Sequence, residues 1–595
     1  MSDKELAKKG GGFLFTKVEP EDIFTPEDLD EMHLMVKKTC EDFGLNKIYP
    51  QTDEIEEKNE EVILGLLREA GELGLTGVDI PEEYGGDDAD KMTSVLVTEA
   101  LTYSGSFSTS FGAHTGIGSM PIIYFGNKDQ KERYLPQLAT VEKIAAYALT
   151  EPEAGSDAMN SKTTAVLSDD GKYYILNGAK QYITNAAWAD IIIVYAKVDG
   201  EHFTAFIVEK GDGVTIDPEE KKMGIKGSST CSVILEDCYV PVENVLGEVG
   251  KGHHIAFNIL NIGRYKLAAG ALGGSKKALA VSIDYALQRE QFKQPIAQFA
   301  LIKGKVADMV IKSYAIESML YRTAGLLEDR MSEVDMNEEG ANQKVRDAIR
   351  EFTIECSMNK VYGSEGMDFV VDEAVQIHGG YGYDEEYPVE RMYRDSRINR
   401  IFEGTNEVNR MLVPGTLLPK GMKGDLPFMD AVFGLKDELE KIKEQSVPTE
   451  SPDKEEFIVD CMKKLVLLAM GNAGRKFEQE IEKEQEILAT LADMSMEVFA
   501  AESALLRAQK IKANSGEEAA KFPMMMTQIL VSEMVPKLQA WAKEIIAATF
   551  DAEKAAKTEA SIDLLCRTHP LNIYGLKREI AEEAYNERGY FMERR

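Results

Sequence analysis

The segment RIFEGTNEVNR, residues 400–410, sets the carboxylate of Glu403 behind two apolar residues, Ile401 and Phe402, and ahead of a Gly-Thr-Asn turn that opens a helix. A carboxylate in that setting has two readings. It caps the new helix, as polar side chains commonly do. Or it sits in an apolar pocket, where loss of water raises its pKa and makes it a base near neutral pH.

Four further segments carry groups that could face a ligand. YALTEPEAGSDA (147–158) runs from a strand-like entry through Thr150 and Pro152 into an irregular loop at Gly155 and Ser156. QYITNAAWAD (181–190) puts the ring of Tyr182 beside the hydroxyl of Thr184, a flat surface next to a donor. REQFKQPIAQF (289–299) spaces Arg289 and Phe292 three apart, which suits a pyrophosphate and an adenine or, equally, a surface ion pair. QIHGGYGY (376–383) brings backbone close to something through Gly379 and Gly380, or merely ends a helix.

Other chemistries fit less well. AAGALGGSKKA (268–278) lies inside a helical pattern with no strand before it, so close helix packing explains its glycines better than a dinucleotide cradle. His253 and His254 are adjacent and point apart on a helix, His378 precedes a double glycine, and no carboxylate or thiol completes a metal set. The six cysteines are scattered without paired spacing and read as packing thiols in a reducing compartment. Asp+Glu at 102 against Lys+Arg at 68 gives a net charge of −34, which repels phosphate backbones, so nucleic acid is not expected. The opening MSDKELAKKGGGFLF is unlike a signal or transit peptide, and runs such as IIIVYA (191–196) fall short of the roughly 20 residues of a membrane span. A cytoplasmic protein without a transmembrane segment is the expectation.

Taken in order, YALTEP.AGSD, YITN, R..F..PI..F, QIHGGYGY and IFEGTNEV.R resemble the motif series of the acyl-CoA dehydrogenase family over residues 50–415. The segments KKMGIKGSSTCSVILEDCYVPVENVLGEVGKG and NILNIGRYKLAAGA, with a long helical C-terminal extension, resemble the very-long-chain branch and its bacterial relatives. The resemblance implies FAD bound without a covalent link. Tyr147, Leu149, Thr150 and Ser156 would border the flavin and pyrophosphate, with Tyr182 and Thr184 beside the isoalloxazine. Arg289, Phe292, Gln376, Gly379 and Gly380 would reach the adenine end, partly from a neighbouring subunit of a homodimer, with Thr405 and Glu407 completing the site.

By the same resemblance Ser156, Arg264, Glu403 and Gly404 contact a fatty acyl-CoA, and Glu403 is the base. The implied activity is α,β-dehydrogenation of medium- to long-chain acyl-CoA to trans-2-enoyl-CoA in β-oxidation, with electrons passing to electron-transfer flavoprotein. Some relatives carry the base just before the arginine of the Gly-Arg pair; here that position is Gly263, which leaves Glu403. Many relatives have Trp at the position of Tyr182, Gly at Lys293 and Gln at Ala300. An acyl-CoA oxidase, marked by peroxide release in air, and a non-enzymatic scaffold of the same fold are the alternatives.

The elements that must hold these residues follow from periodicity. Val62, Ile63, Leu66, Leu67 and Ala70 share one helical face, as do Val306, Met309, Val310 and Ser313, and again Leu491, Met494, Val498, Ala501 and Leu505. Between the first two sets, short β-branched and aromatic runs alternate with turn residues such as SDDGK and EKGDGV. The expected architecture is α+β, mostly α: an N-terminal helical domain (1–145), a middle antiparallel β domain with the flavin loop (146–252), a helical bundle with the base (253–415), a proline-rich linker (416–455) and an extra helical domain (456–595).

Overall fold

The computed structural model describes residues 2–335, 338 and 340–594. Short helices fill 31–139, among them α1 (Lys91–Ala100) and α2 (Gly105–Gly112), which runs on into a π-helical turn at Ala113–Gly118. The helix Glu60–Glu72 buries Ile63, Leu66, Leu67 and Ala70, the stripe its spacing predicts.

An eight-stranded sheet follows: β1 (Ala145–Ala148), β2 (Thr164–Leu167), β3 (Tyr173–Thr184), β4 (Ile191–Val198), β5 (His202–Glu209), β6 (Val214–Ile216), β7 (Thr230–Pro241) and β8 (Val245–Leu246). Its order is β6-β7-β3-β2-β4-β5-β8, with β1 also on β4. The antiparallel expectation needs one correction, because β1 and β2 both pair parallel to β4. Ala145–Ala148 faces Ile191–Val194, and Thr164–Ala165 faces Lys197–Val198, so the two strands lie end to end along one edge of β4. Residues 149–163 are an excursion out of that interrupted edge, which is how a loop comes to project beside a sheet.

The bundle comprises α3 (Gly252–Gln288), α4 (Ala300–Met331), α5 (Thr353–His378), α6 (Pro388–Ser396) and α7 (Asn406–Lys423). The predicted linker is largely helical instead. Helix α7 continues through Pro414 and Pro419, and α8 (Phe428–Glu444) follows. Each internal proline removes a backbone hydrogen bond; burial of Val413, Leu417 and Leu418 in α7 offsets that cost. Beyond it stand α9 (Asp453–Phe477), α10 (Gln485–Ser515) and α11 (Glu517–Thr549).

The chain's first residues do not stay with the N-terminal helices. Phe13 packs edge-on against Phe499 of α10 at 4.9 Å, Lys463 of α9 donates to the Thr16 carbonyl at 2.9 Å, and Arg507 of α10 donates to Glu27. The C-terminal end is anchored too. Lys276 of α3 donates to Glu99 (2.5 Å), Glu317 (2.6 Å) and Glu593 (3.0 Å), while Tyr590 and Arg507 donate to the other Glu317 oxygen. Each of these charges lies within hydrogen-bond reach of an opposite charge, which is the condition for burying them at all. Among the described residues, no helix is long and apolar enough to cross a membrane.

Candidate active site

Glu403 lies in a turn between α6 and α7 with its backbone at φ +56°, a conformation rare for a side chain with a Cβ, followed by Gly404 at φ +78°. Strain of this kind persists only where the surroundings over-determine it. Asn409 donates from its Nδ2 to the carbonyls of Gly404 (2.8 Å) and Thr405 (3.0 Å) and reaches that of Glu403 (3.4 Å). Arg264 Nε donates to the Glu403 carbonyl at 3.2 Å, and its Nη1 is held by Asn261 Oδ1 at 2.7 Å. Thr405 accepts from the Val408 N–H and so caps α7. The cap and the acid are thus different residues, which answers the helix-capping alternative.

The residue as a whole is partly open to the cavity it lines, yet its Oε2 is closed to solvent and has no hydrogen-bond partner among the described residues. Burial pushes the carboxyl up to about 7, against the opposing pull of Arg264 and Lys360. The room for it comes from α3: a Cβ at Gly263 would lie 2.6 Å from Glu403 Oε2.

Two cavities meet at this carboxylate. The larger, of about 1430 Å³, is lined by Tyr147, Leu149, Thr150, Ser156, Tyr182, Thr184, Arg264, Glu403, Gly404 and Thr405. The smaller, about 550 Å³, runs between α2 with its π-turn and α3, past Gly112, Ala113, Gly116, Gly270, Ala271 and Gly274. Thr184, Phe402 and Glu403 line both. Hydroxyls along the smaller cavity are committed to helix carbonyls, Thr98 to Ser94, Thr109 to Gly105 and Thr115 to Phe111, so they do not call for a polar ligand.

The excursion 149–163 is fixed by Glu151, which accepts from Lys162 N (2.5 Å), Thr163 N and Oγ1, and Lys180 Nζ (2.7 Å). Glu151 and Ala154 exchange backbone hydrogen bonds, closing a turn that leaves Gly155 and Ser156 exposed. Tyr182, at φ +59°, is 60% exposed as a residue, an unusual state for a strand aromatic. Tyr147 is buried, its hydroxyl without a partner among the described residues. The β domain is locked to the bundle where Asp395 of α6 accepts from Ile225 N at 2.5 Å and Arg394 donates to the Met223 carbonyl.

Five expected residues are elsewhere. Arg289, Phe292, Gln376, Gly379 and Gly380 gather at the far ends of α3 and α5, which are joined there by Tyr285 donating to the His378 carbonyl at 3.2 Å. None of the five lines either cavity. Helical rise separates Arg264 from the end of α3 by about 36 Å, so these residues and Glu403 cannot serve one spot in a single protomer. Phe292 is 87% exposed, and the Arg289 guanidinium lies over the Tyr381 ring. Glu407 is exposed on the first turn of α7 and outside both cavity walls.

Sequence reasoning missed Lys360, Asn406, Asn409 and the Glu151–Lys180 pair. Lys360 of α5 is fully buried and donates to Asn406 Oδ1 at 2.6 Å; burial, opposed by Glu403, brings its ammonium down to about 7. A lone lysine among apolar helix positions was the available signal.

Family models place the rest in context. Those for the acyl-CoA dehydrogenase N-terminal, middle and C-terminal domains match residues 30–142, 146–238 and 250–418, and another C-terminal domain model matches 461–559. A "Probable acyl-CoA dehydrogenase" of Bacillus subtilis (strain 168) is 50% identical over 584 residues, covering 98% of each chain. The human mitochondrial very long-chain specific acyl-CoA dehydrogenase is 42% identical over 353 residues, 58% of this chain and 51% of its own. A solved Bacillus anthracis acyl-CoA dehydrogenase complexed with FAD superposes with a TM-score of 0.96 at 51% identity, covering 98% of this chain and 99% of that one.

Proposed function

The chain belongs to the acyl-CoA dehydrogenase family, and on that premise we propose that it converts medium- to long-chain fatty acyl-CoA to trans-2-enoyl-CoA in cytoplasmic β-oxidation, with FAD as cofactor. The observation that carries this reading is the unpartnered Glu403 carboxylate at the junction of two cavities, one larger and one smaller, the smaller walled by glycines and alanines of α2 and α3 with charged side chains such as Lys277, Glu385 and Arg391 also on its wall.

The larger cavity fits FAD. Its volume exceeds the roughly 300–1,000 Å³ of ordinary small-ligand pockets. Tyr182 offers an exposed ring to a flat partner, and a Cβ at Gly155 would meet nothing, so the loop backbone is open to phosphates. Tyr147, Leu149, Thr150, Ser156, Tyr182 and Thr184 would hold it. When bound, FAD supplies the two-electron acceptor that takes a hydride from the substrate β-carbon.

The chain's own contribution is proton chemistry. Glu403 takes the α-proton, and the C–H pair it leaves becomes the Cα–Cβ double bond as the β-hydride departs. Its pKa near 7 makes it a stronger base than an ordinary carboxylate while leaving it ionised in a useful fraction at neutral pH. No acceptor among the described residues takes the Glu403 N–H, which leaves that donor for the thioester oxygen. Arg264 holds the turn through its carbonyl and favours the ionised base by charge.

Gly263, Leu267, Gly270 and Gly274 line the smaller cavity from one face of α3, a run of about 16 Å at helical rise. That length and the bonded hydroxyls support a long saturated acyl chain. Arg289, Phe292, Gln376, Gly379 and Gly380, exposed and remote from Glu403, support a homodimer in which they meet the partner's cofactor. Electron-transfer flavoprotein is the proposed acceptor.

Turnover of palmitoyl-CoA with electron-transfer flavoprotein, with enoyl-CoA identified by mass, tests this reading. Product with that acceptor and little peroxide in air supports it. Fast peroxide formation without the flavoprotein makes the protein an oxidase, and absence of product from every saturated acyl-CoA contradicts an enzymatic role.

A further inference from the structure

Arg410, the last residue of the segment around Glu403, takes no part in the chemistry above, yet it joins the catalytic turn to the C-terminal unit. Its Nη1 and Nη2 donate to the two oxygens of Glu365 on α5, at 2.7 and 2.9 Å, and its Nε donates to Asp493 Oδ1 on α10 at 2.7 Å. Glu365 Oε1 accepts from Asn406 Nδ2 at 2.9 Å, and Asn406 Oδ1 accepts from Lys360 at 2.6 Å. Asn406 is the first residue of α7, three beyond Glu403. A continuous chain of hydrogen bonds thus runs from the extra helical domain to Asn406, where α7 leaves the strained turn that carries Glu403.

We propose that Asp493 is a positioning residue for Glu403, acting through Arg410, Glu365 and Asn406, and that the C-terminal unit serves catalysis by this contact. The inference rests on the reading of Glu403 as the base. A guanidinium fork holds Glu365 in one orientation only while all its donors are satisfied. With Asp493 neutralised, the Arg410 Nε bond loses its charge assistance, Glu365 gains freedom, and Asn406 Nδ2 is left with Ser364 Oγ, at 3.1 Å, as its one fixed acceptor. The turn at φ +56° depends on such supports. The charged and titratable groups around the turn and this network are Arg264 from α3, Tyr147 from β1, Lys360 and Glu365 from α5, Glu407 and Arg410 from α7, and Asp493 with its neighbour Glu497 from α10. Of the two C-terminal acids, Asp493 is the one hydrogen-bonded to Arg410, and Glu497 pairs with Lys537.

The test uses FAD-loaded full-length protein and follows anaerobic flavin bleaching by palmitoyl-CoA across pH, alongside FAD content and thermal midpoint. Asp493→Asn and Arg410→Lys are compared with Glu497→Gln, which removes a neighbouring charge of α10 paired to Lys537 at 3.2 Å. Asp493→Asn is expected to keep FAD and half-saturation by substrate while its bleaching slows by about 10- to 100-fold, the scale of a misplaced reacting group. Its pH profile shifts, Arg410→Lys behaves alike, and Glu497→Gln bleaches as wild type.

Bleaching at the wild-type rate with an unshifted profile in either Asp493→Asn or Arg410→Lys overturns the inference alone. Equal slowing in Glu497→Gln, tracking lost thermal stability, overturns it as well. A wild type that never bleaches overturns both the inference and the reading beneath it.

Discussion

The backbone of Gly263 and the carboxylate of Glu403 occupy adjoining space: a Cβ on the glycine would stand 2.6 Å from Oε2 and 2.9 Å from Cδ of the acid. Residues 140 apart in sequence are therefore fitted to each other at the point where the two cavities meet. The glycine clears the position into which the Glu403 carboxylate folds.

Gly263→Ala separates stability from chemistry. Within a helix the change favours folding by up to about 1 kcal/mol, and the atoms it would strike belong to the end of a flexible side chain. The thermal midpoint should hold or rise, FAD should stay bound, and anaerobic bleaching by acyl-CoA should slow by about 100-fold because the carboxylate is displaced. Stopped-flow absorbance with parallel calorimetry checks this.

The pH dependence has a definite sign. Glu403 has a folded pKa near 7 against an ordinary carboxylate value unfolded, so the folded state binds the extra proton between the two. Stability falls as pH rises from the unfolded value through about 7, the reverse of a salt-bridged acid. Glu403→Gln should melt a few degrees above wild type near about pH 8, and the difference should vanish near about pH 4. Differential scanning fluorimetry over that range reads it.

Arg264 pulls the Glu403 pKa down. Arg264→Gln should therefore move the rising limb of bleaching rate against pH upward by about one unit, with most loss near neutrality and partial recovery in alkali. A profile that drops uniformly without moving would assign Arg264 to substrate binding instead.

The loop beside the sheet depends on a buried pair. Lys180 is fully buried and Glu151 nearly so, and Lys180 is the ion-pair partner of a carboxylate that also accepts three loop donors. Burial lowers the Lys180 pKa even so. Glu151→Ala should cost about 3–5 kcal/mol, as removal of one member of a buried pair does, and weaken FAD retention with it. Chemical denaturation and flavin release on gel filtration report the two effects.

The proposed acyl cavity runs along α3. A Cβ at Gly270 meets nothing within 4 Å, so a larger side chain would enter the smaller cavity without disturbing the helix packing around it. Gly270→Leu should slow stearoyl- and palmitoyl-CoA by about 10-fold or more while sparing butyryl-CoA, as read by initial rates across a chain-length series.

Much of the site was legible because its residues cluster in short segments. Glu403, Gly404 and Thr405 are contiguous, as are Tyr182 and Thr184 but for one residue, and each segment carries its own turn chemistry. Gly263 was read as a position that cannot supply a base; its fit to Glu403 is a contact across the fold and was not legible. Lys360 and Asn409 were missed for the same reason. The parallel placement of β1 and β2 on β4 depends on pairing between distant strands, which alternation of residue types does not encode. Pro414 and Pro419 suggested a linker, but burial of the α7 face outweighs two lost hydrogen bonds. Thr16 and Phe13 meet Lys463 of α9 and Phe499 of α10, about 450 and 490 positions away.

The proposed role of Glu403 as the base of an acyl-CoA dehydrogenation can be read in one experiment, anaerobic titration of the FAD-loaded protein with palmitoyl-CoA, wild type beside Glu403→Gln. Wild-type flavin should bleach, while the variant binds the same ligand, seen as a perturbed flavin spectrum, and stays oxidised. Bleaching of Glu403→Gln at a rate close to wild type would contradict it.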